Sequence, residues 1–355
     1  MLPSTLKDAR LAATAVAFPD HPVDVEATIG GLVALFPRED RAFIRSIVER
    51  SGVEGRMMAL PPEGIVRERS FTVRQAEYRR IAEDVACRAA TAALEKSGVL
   101  AEDIDVVIDV SCTGVMIPAL DVMLAPRLGL RPDVQRYPIT EAGCAAGSLA
   151  LGLAARLAST GLEVLVVAVE LCSLSLVKDD KERANLVAGV LFGDGAAAAV
   201  VRPGGSGPRL KAVGSHLFPD TADVMGFDIG THGLKLILKR ELPAILERRL
   251  GDVVIGFLAR NGSSLDDVGL HLVHTGGRRV LESYAAMFGL ERAALAYSHE
   301  ALRRYGNLSS AAVLSVLDLA LRDRPSLGGG KDTLVTAFGP GLSAEMLLLD
   351  DGATS

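Results

Sequence analysis

The chain repeats itself at a spacing near 163 residues, which points to a fold built from two like halves. “SGVLAEDIDVVIDVSCTG” (97–114) runs parallel to “NGSSLDDVGLHLVHTGG” (261–277): glycine, an acidic pair, an apolar run of strand length, then Cys-Thr-Gly against His-Thr-Gly. Gly262 follows Gly98 by 164 positions and His274 follows Cys112 by 162. Further on, “AGCAAGSLALGLAARL” lies over “YGNLSSAAVLSVLDLAL”, with Asn307 163 positions after Cys144, and the strand-like runs “VLVVAVE” and “TLVTAFG” keep the order. Three ordered matches at nearly constant spacing exceed the chance similarity of unrelated α/β units. Each half reads as helix, strand, loop, buried helix, strand, which predicts an α/β chain made of two βαβαβ-type copies facing each other, 1–203 and 204–355.

The local patterns agree. “RQAEYRRIAEDVACRAATAALEKS” (74–97) has apolar residues at helical spacing, whereas “DVVIDVS”, “EVLVVAVELCS” and “GAAAAVV” are β-branched or small apolar runs of strand length. With 36 glycines, no tryptophan and only 4% aromatic residues, these elements must pack closely through small side chains. A net charge of −6 and the lack of a Lys/Arg cluster argue against a nucleic-acid surface. No apolar run reaches membrane-spanning length, and “MLPSTLKDARLAA” lacks the pattern of a secretory signal, so a cytoplasmic enzyme is expected. Cys87, Cys112, Cys144 and Cys172 form no CxxC pair and no disulfide framework, and no metal site is expected.

The duplication places unlike polar residues at equivalent loops. Cys144 opens the buried helix of the first half, Asn307 opens its counterpart, and His274 ends the second half's strand; about a pseudo-twofold axis all three can share one space. A cysteine at a helix N-terminus sits in a field that favours thiolate, and a neighbouring imidazole would lower its pKa further. Gly143 permits a tight turn, and Ala145 and Ala146 leave the first turn uncrowded. Taken alone, a cysteine in such a helix is ordinarily a packed core thiol; the repeat and its partners reverse that. His271 and His274 are three positions apart on a strand and face opposite sides, so only one serves the site, and His274 beside two glycines is favoured. Asn307 suits a helix cap as well as an amide donor. Asp194 in “FGDGA” reads as a buried turn residue rather than a catalyst.

“GCAAG”, “LFGDGAAAAVV”, “HTGG”, “YGNLSSAAVL” and “AFGPGLSAE” together resemble the thiolase-fold condensing enzymes, specifically the type III polyketide synthases of the chalcone-synthase-like group, from about residue 80 to 350. The family more often has Pro where Thr275 stands. The resemblance implies a thiolase-like fold of layered αβαβα halves. It implies a homodimer in which Cys144 accepts an acyl starter from a CoA thioester while His274 and Asn307 stabilise the enolate from malonyl-CoA as CO2 leaves. Iterative extension and cyclisation to a pyrone or phenol would follow, with coenzyme A thioesters as substrates and no further cofactor. A second member of the fold class, the third type of ketoacyl-acyl-carrier-protein synthase, shares Cys-His-Asn but usually carries His-Gln-Ala-Asn after the histidine; it would imply an acyl carrier protein as donor. A Cys-His-Asn hydrolase would need neither the repeat nor the Gly339-Pro340-Gly341 loop.

The same resemblance implies a cavity lined by Cys112, Cys172, Ser175, Leu236 and the Gly339-Pro340-Gly341 loop, with Ile117 reaching across a dimer. Leu236 stands where plant members carry phenylalanine, which suits an aliphatic or unusual starter. Cys112 stands where some naphthalene-forming bacterial members have cysteine, and reads equally as a buried inert thiol. “RSGVEGRMM” resembles the family's basic CoA-docking segment with only Arg50 and Arg56 charged, implying weaker docking or a carrier-protein donor.

Overall fold

The computed structural model describes residues 6–351 apart from 7, 68, 69, 179, 181, 231, 232 and 326. In chain order the strands are β1 (Ala9–Ala17), β2 (His21–Asp24), β3 (Gly55–Met58), β4 (Val106–Val110), β5 (Gln135–Ile139), β6 (Val164–Leu171), β7 (Asp194–Pro203), β8 (Arg209–Leu217), β9 (Met225–Gly230), β10 (Gly233–Leu238), β11 (Val268–Val273), β12 (Asp332–Gly339) and β13 (Ser343–Asp350). The helices are α1 (Val25–Leu35), α2 (Arg41–Ser51), α3 (Pro62–Ile65), α4 (Phe71–Ser97), α5 (Leu120–Leu128), α6 (Ala146–Ala158), α7 (Arg183–Leu191), α8 (Leu242–Arg260), α9 (Arg278–Met287), α10 (Ala296–Tyr305) and α11 (Ala312–Asp323).

Nine strands form one mixed sheet in the order β11-β12-β13-β8-β1-β7-β6-β4-β5. Read outward from its middle, β1-β7-β6-β4 on one side mirrors β8-β13-β12-β11 on the other, and a single residue pair, Arg10 with Arg209, joins the two. The inner pairs β6/β7 and β12/β13 are antiparallel, while β4/β6 and β11/β12 are parallel. Smaller features repeat as well. Gly98 after α4 and Gly262 after α8 turn at φ +69° and +67°, and 3-10 turns at Ala101–Asp103 and Leu265–Asp267 lead into β4 and β11. The chain crosses from one set of strands to the other between Pro203 and Arg209.

Alternation along the strands sorts side chains into layers. Val106 and Ile108 of β4, Val166 and Ala168 of β6, Val335 of β12 and Leu347 of β13 all face α6 and α11. Their neighbours Val107, Val167 and Val200 face α4, while Leu334, Met346 and Leu348 face α8. The result is α4, half-sheet, α6 with α11, half-sheet, α8. Both middle helices are apolar nearly all round because sheet covers them on two sides. They touch through small residues: a Cβ added at Gly147 would lie 2.1 Å from the Ser310 carbonyl oxygen, so only glycine allows this approach. On α4, Ala82, Ala86, Ala89, Ala90 and Ala93 are fully buried, which gives the expected close packing through small side chains. A separate apolar cluster of α1, α2 and α7 stands beside the loops that end β6 and precede β7. Among the described residues no helix is long and apolar enough to cross a membrane.

Candidate active site

Loops from both halves converge on one cavity of about 1150 Å³, lined by Cys144, His274 and Asn307 together with Cys112, Cys172, Ser175, Leu236 and Pro340. Cys144 sits in a 3-10 turn, Gly143–Ala145, that runs directly into α6. Gly143 adopts φ +55°, and a Cβ there would lie 2.5 Å from the Pro340 ring, so the turn and the Gly339-Pro340-Gly341 loop fit only without a side chain. Gly339 packs on Ala145, and the Gly341 carbonyl accepts from Thr221 Oγ1 at 3.0 Å; the two glycines shape the loop while Pro340 meets the cavity.

His274 follows β11, its N–H donating to the Thr336 carbonyl at 2.9 Å. Its side chain is buried and Nδ1 has no hydrogen-bond partner among the described residues. His271 faces the other way and meets Tyr284 Oη at 3.1 Å, as the strand parity requires. Thr275, in place of the family's usual Pro, donates through Oγ1 to the Gly306 carbonyl at 3.2 Å, tying the histidine loop to the asparagine loop. Asn307 accepts the Ser309 N–H on Oδ1 at 2.8 Å, a turn bond ahead of the 3-10 turn whose N-cap is Leu308, so Asn307 is not the cap of α11, and its Nδ2 is left to donate elsewhere.

Three residues that the sequence reading did not single out join these groups. Ser309 Oγ lies 3.3 Å from Cys144 Sγ and 3.3 Å from Cys112 Sγ, a bridge between the thiols of the first half. It is held there at φ +50°, a strained backbone for a residue with a side chain. Glu170, fully buried at the end of β6, accepts from the Cys112 and Thr113 N–H groups at 3.1–3.2 Å, from Thr113 Oγ1 at 2.6 Å and from Ser310 Oγ, stapling the halves behind the cavity. Phe192 lines the cavity beside Asn307, with which its backbone bridges. Asp194 is a buried acceptor for Ala59 N–H at 2.6 Å and Ser173 N–H at 2.8 Å, as read from the sequence.

Two further expectations are corrected. Arg56 points inward: β3 alternates so that Arg56 and Met58 are buried, and the guanidinium donates to the Gly189, Val190 and Phe192 carbonyls at 2.6–2.9 Å. It braces the end of α7 and is unavailable to a CoA phosphate; Arg50, exposed on α2, does line the cavity mouth. The thiol is also not lowered. Burial pushes Cys144 up to about 11, against which the Ser309 hydrogen bond and its own backbone N–H work, and burial pushes His274 down to about 4. At neutral pH the pair rests as thiol and neutral imidazole. Cys112 is raised well above its usual value by burial first and then by Glu170. Ile117 is 92% exposed and lies outside this cavity.

A duplicated α/β fold with cysteine, histidine and asparagine brought to one internal cavity defines a thiolase-like condensing enzyme. Residues 7–208 match the chalcone and stilbene synthase N-terminal domain and residues 209–351 the C-terminal domain of the same enzymes. The chain therefore belongs to the chalcone and stilbene synthase family, the type III polyketide synthases. It is 38% identical over 354 residues to a 1,3,6,8-tetrahydroxynaphthalene synthase of Streptomyces peucetius subsp. caesius, covering 96% of this chain and 92% of that one. It is 30% identical over 341 residues to a phloroglucinol synthase of Pseudomonas fluorescens, covering 93% and 96%. The crystal structure of 1,3,6,8-tetrahydroxynaphthalene synthase from Streptomyces coelicolor A3(2) superimposes with a TM-score of 0.91 at 33% identity, over 96% of this chain and 99% of that one.

Proposed function

We propose that this enzyme extends an acyl group held on Cys144 by repeated decarboxylative condensation with malonyl-CoA and cyclises the product to a phenol or pyrone. The observation that carries the reading is the convergence of Cys144, His274 and Asn307, from three loops of two halves, on one cavity. Neutral His274 takes the thiol proton as Cys144 attacks the starter thioester, and returns it to the departing CoA sulfur. Malonyl-CoA then presents its thioester oxygen to Asn307 Nδ2 and the imidazole N–H. CO2 leaves with the bond electrons passing into the enolate, and the enolate carbon attacks the acyl carbon as Cys144 sulfur leaves. One such donor to a developing oxyanion contributes on the order of 3 kcal/mol. Decarboxylation itself supplies the carbanion, so the proposed cycle involves no redox step and no metal. Cys112, Cys172, Ser175 and Leu236 bound the space in which the chain grows and folds.

An exposed edge supports a homodimer. β5 is the last strand of the sheet with both faces open, and Val115, Ile117, Val122 and Tyr137 cluster in sequence around it as large exposed apolar groups.

Mass spectrometry of products from a panel of acyl-CoA starters with malonyl-CoA tests the assignment. Cys144→Ala is expected to abolish product with an unchanged circular dichroism spectrum. Asn307→Ala is expected to lower CO2 release about 100-fold or more while leaving acyl transfer to Cys144 far less affected. Product from Cys144→Ala, or release of free acid without malonyl-CoA consumption, would refute it.

A further inference from the structure

We propose that Thr275 is a positioning residue that sets the spacing of the two donors to the enolate oxygen, His274 and Asn307, through the hydrogen bond its hydroxyl makes to the asparagine loop. This rests on, and deepens, the reading above that His274 and Asn307 together hold the malonyl thioester oxygen. The neighbour of one donor is joined to the neighbour of the other: buried Thr275 donates from Oγ1 to the Gly306 carbonyl at 3.2 Å. No other hydrogen bond among the described residues joins 274–277 to 306–309.

The bond acts on the peptide group that carries Asn307. The Gly306 carbonyl and the Asn307 N–H lie in one peptide plane. The carbonyl meets Thr275, and the N–H donates to the Leu191 carbonyl at 2.8 Å. Both edges of that plane are therefore held, one by the histidine loop and one by the end of α7. Gly306 turns at φ +69°, and a Cβ there would lie 2.6 Å from the Leu191 oxygen, so only glycine brings the plane into this crossing. The Asn307 carbonyl accepts the Gly193 N–H at 3.1 Å, and with Oδ1 taken by the Ser309 N–H at 2.8 Å, Nδ2 is the free arm of the amide.

The other donor depends on its backbone. His274 has no hydrogen bond at Nδ1, so packing and the loop beneath it set where the ring stands. That loop is a tight turn in which the Gly276 N–H returns to the His274 carbonyl at 2.8 Å, with Thr275 at its centre. A proline at that centre would set φ through its ring. Threonine leaves the turn to non-covalent contacts, and its hydroxyl supplies one that reaches the other donor's loop. Removing the hydroxyl leaves a buried carbonyl without a partner and the two loops free to shift against each other. Displacement of a catalytic group by about 1 Å costs on the order of 100-fold in rate, so even a partial shift is read in turnover.

CO2 release from malonyl-CoA is followed in the full-length protein carrying Thr275→Val, which keeps the branched shape and removes the hydroxyl. Its kcat is expected to fall about tenfold, with KM within about twofold of wild type, because the interaction lost is one made to the developing oxyanion. Acyl transfer from a starter CoA to Cys144, read by mass spectrometry of the intact protein, should change by less than about threefold, since the amide takes no part in it. Thr275→Ser should recover most of the loss. In an Asn307→Ala background Thr275→Val should have no further effect, because the tether then has no amide to place. A wild-type kcat in Thr275→Val, a loss carried in KM, no recovery in Thr275→Ser, or an undiminished loss in the Asn307→Ala background overturns the proposal. A second arm needs no turnover: hydrogen–deuterium exchange of the peptide spanning 306–309 should quicken severalfold in Thr275→Val and return in Thr275→Ser. Unchanged exchange sinks the tether, whereas quickened exchange with no CO2 release by wild type leaves the tether standing and sinks the condensation reading.

Discussion

At the scale of single residues, the site is a set of neutral groups held close by burial rather than a preformed ion pair. With Cys144 pushed up to about 11 and His274 down to about 4, the thiolate fraction at neutral pH is small and proton transfer waits for the thioester. The sign is simple: each unit of pH below 11 lowers the thiolate population tenfold. Alkylation of Cys144 by iodoacetamide, followed by mass spectrometry with the other three cysteines as internal references, should therefore accelerate continuously from pH 7 to 10. A rate already flat above pH 6 would mean a standing thiolate–imidazolium pair. The trio itself was legible because loop identities survive in the repeat, whereas Ser309 and Glu170 were not: serine and glutamate in a run such as “NLSSAAV” or “VAVELCS” carry no sign of which cavity they meet. Arg56 was misplaced for a related reason. Its charge matched a docking segment, but the parity of β3, visible in the burial of Met58, turns it inward.

At the scale of elements, the contact between α6 and α11 sets where the trio can sit. Cys144 and Ser309 occupy the turns that begin these helices, so their 3.3 Å approach is inherited from the helix crossing at Gly147 and Ser310. A methyl at position 147 meets a backbone oxygen rather than a mobile side chain, and the helices must separate or shift along each other. Gly147→Ala is expected to cost about 3 kcal/mol, the upper part of the range for overpacking, read as a lowered urea midpoint. Activity should fall more than the loss of folded protein explains, because Ser309 moves with Ser310. A variant with wild-type stability would show that the two helices are not in this register. The sequence announced the pairing of the two helices through their matched position in each half. It did not announce α7, whose short apolar run lies between two stronger strand signals, nor the α1–α2–α7 cluster, which has no counterpart in the second half.

At the scale of the whole molecule, the duplication leaves an asymmetry that monomeric solubility would not tolerate well. The second half ends its sheet at β11, flanked by the elements around α10 and α11, but the first half adds β5 beyond β4, with Gln135–Pro138 exposed on both faces. An open edge strand, whose guards are only Arg136 and Pro138, with Val115, Ile117, Val122 and Tyr137 exposed close by in sequence, offers a surface for the proposed homodimer, in which a twofold axis would bury each patch against itself. Ile117, 92% exposed in one chain, would in that proposed dimer enter the partner rather than solvent. Sedimentation equilibrium at micromolar concentration should give a mass near twice 37.3 kDa. Replacing Val122 and Tyr137 by arginine puts like charges opposite one another across the axis and should return the monomer mass. If Ile117 also shapes the partner's cavity, the dissociated variant will keep its fold yet release products of altered length. A wild type that sediments as a monomer at all concentrations would remove the reason for that edge to be apolar.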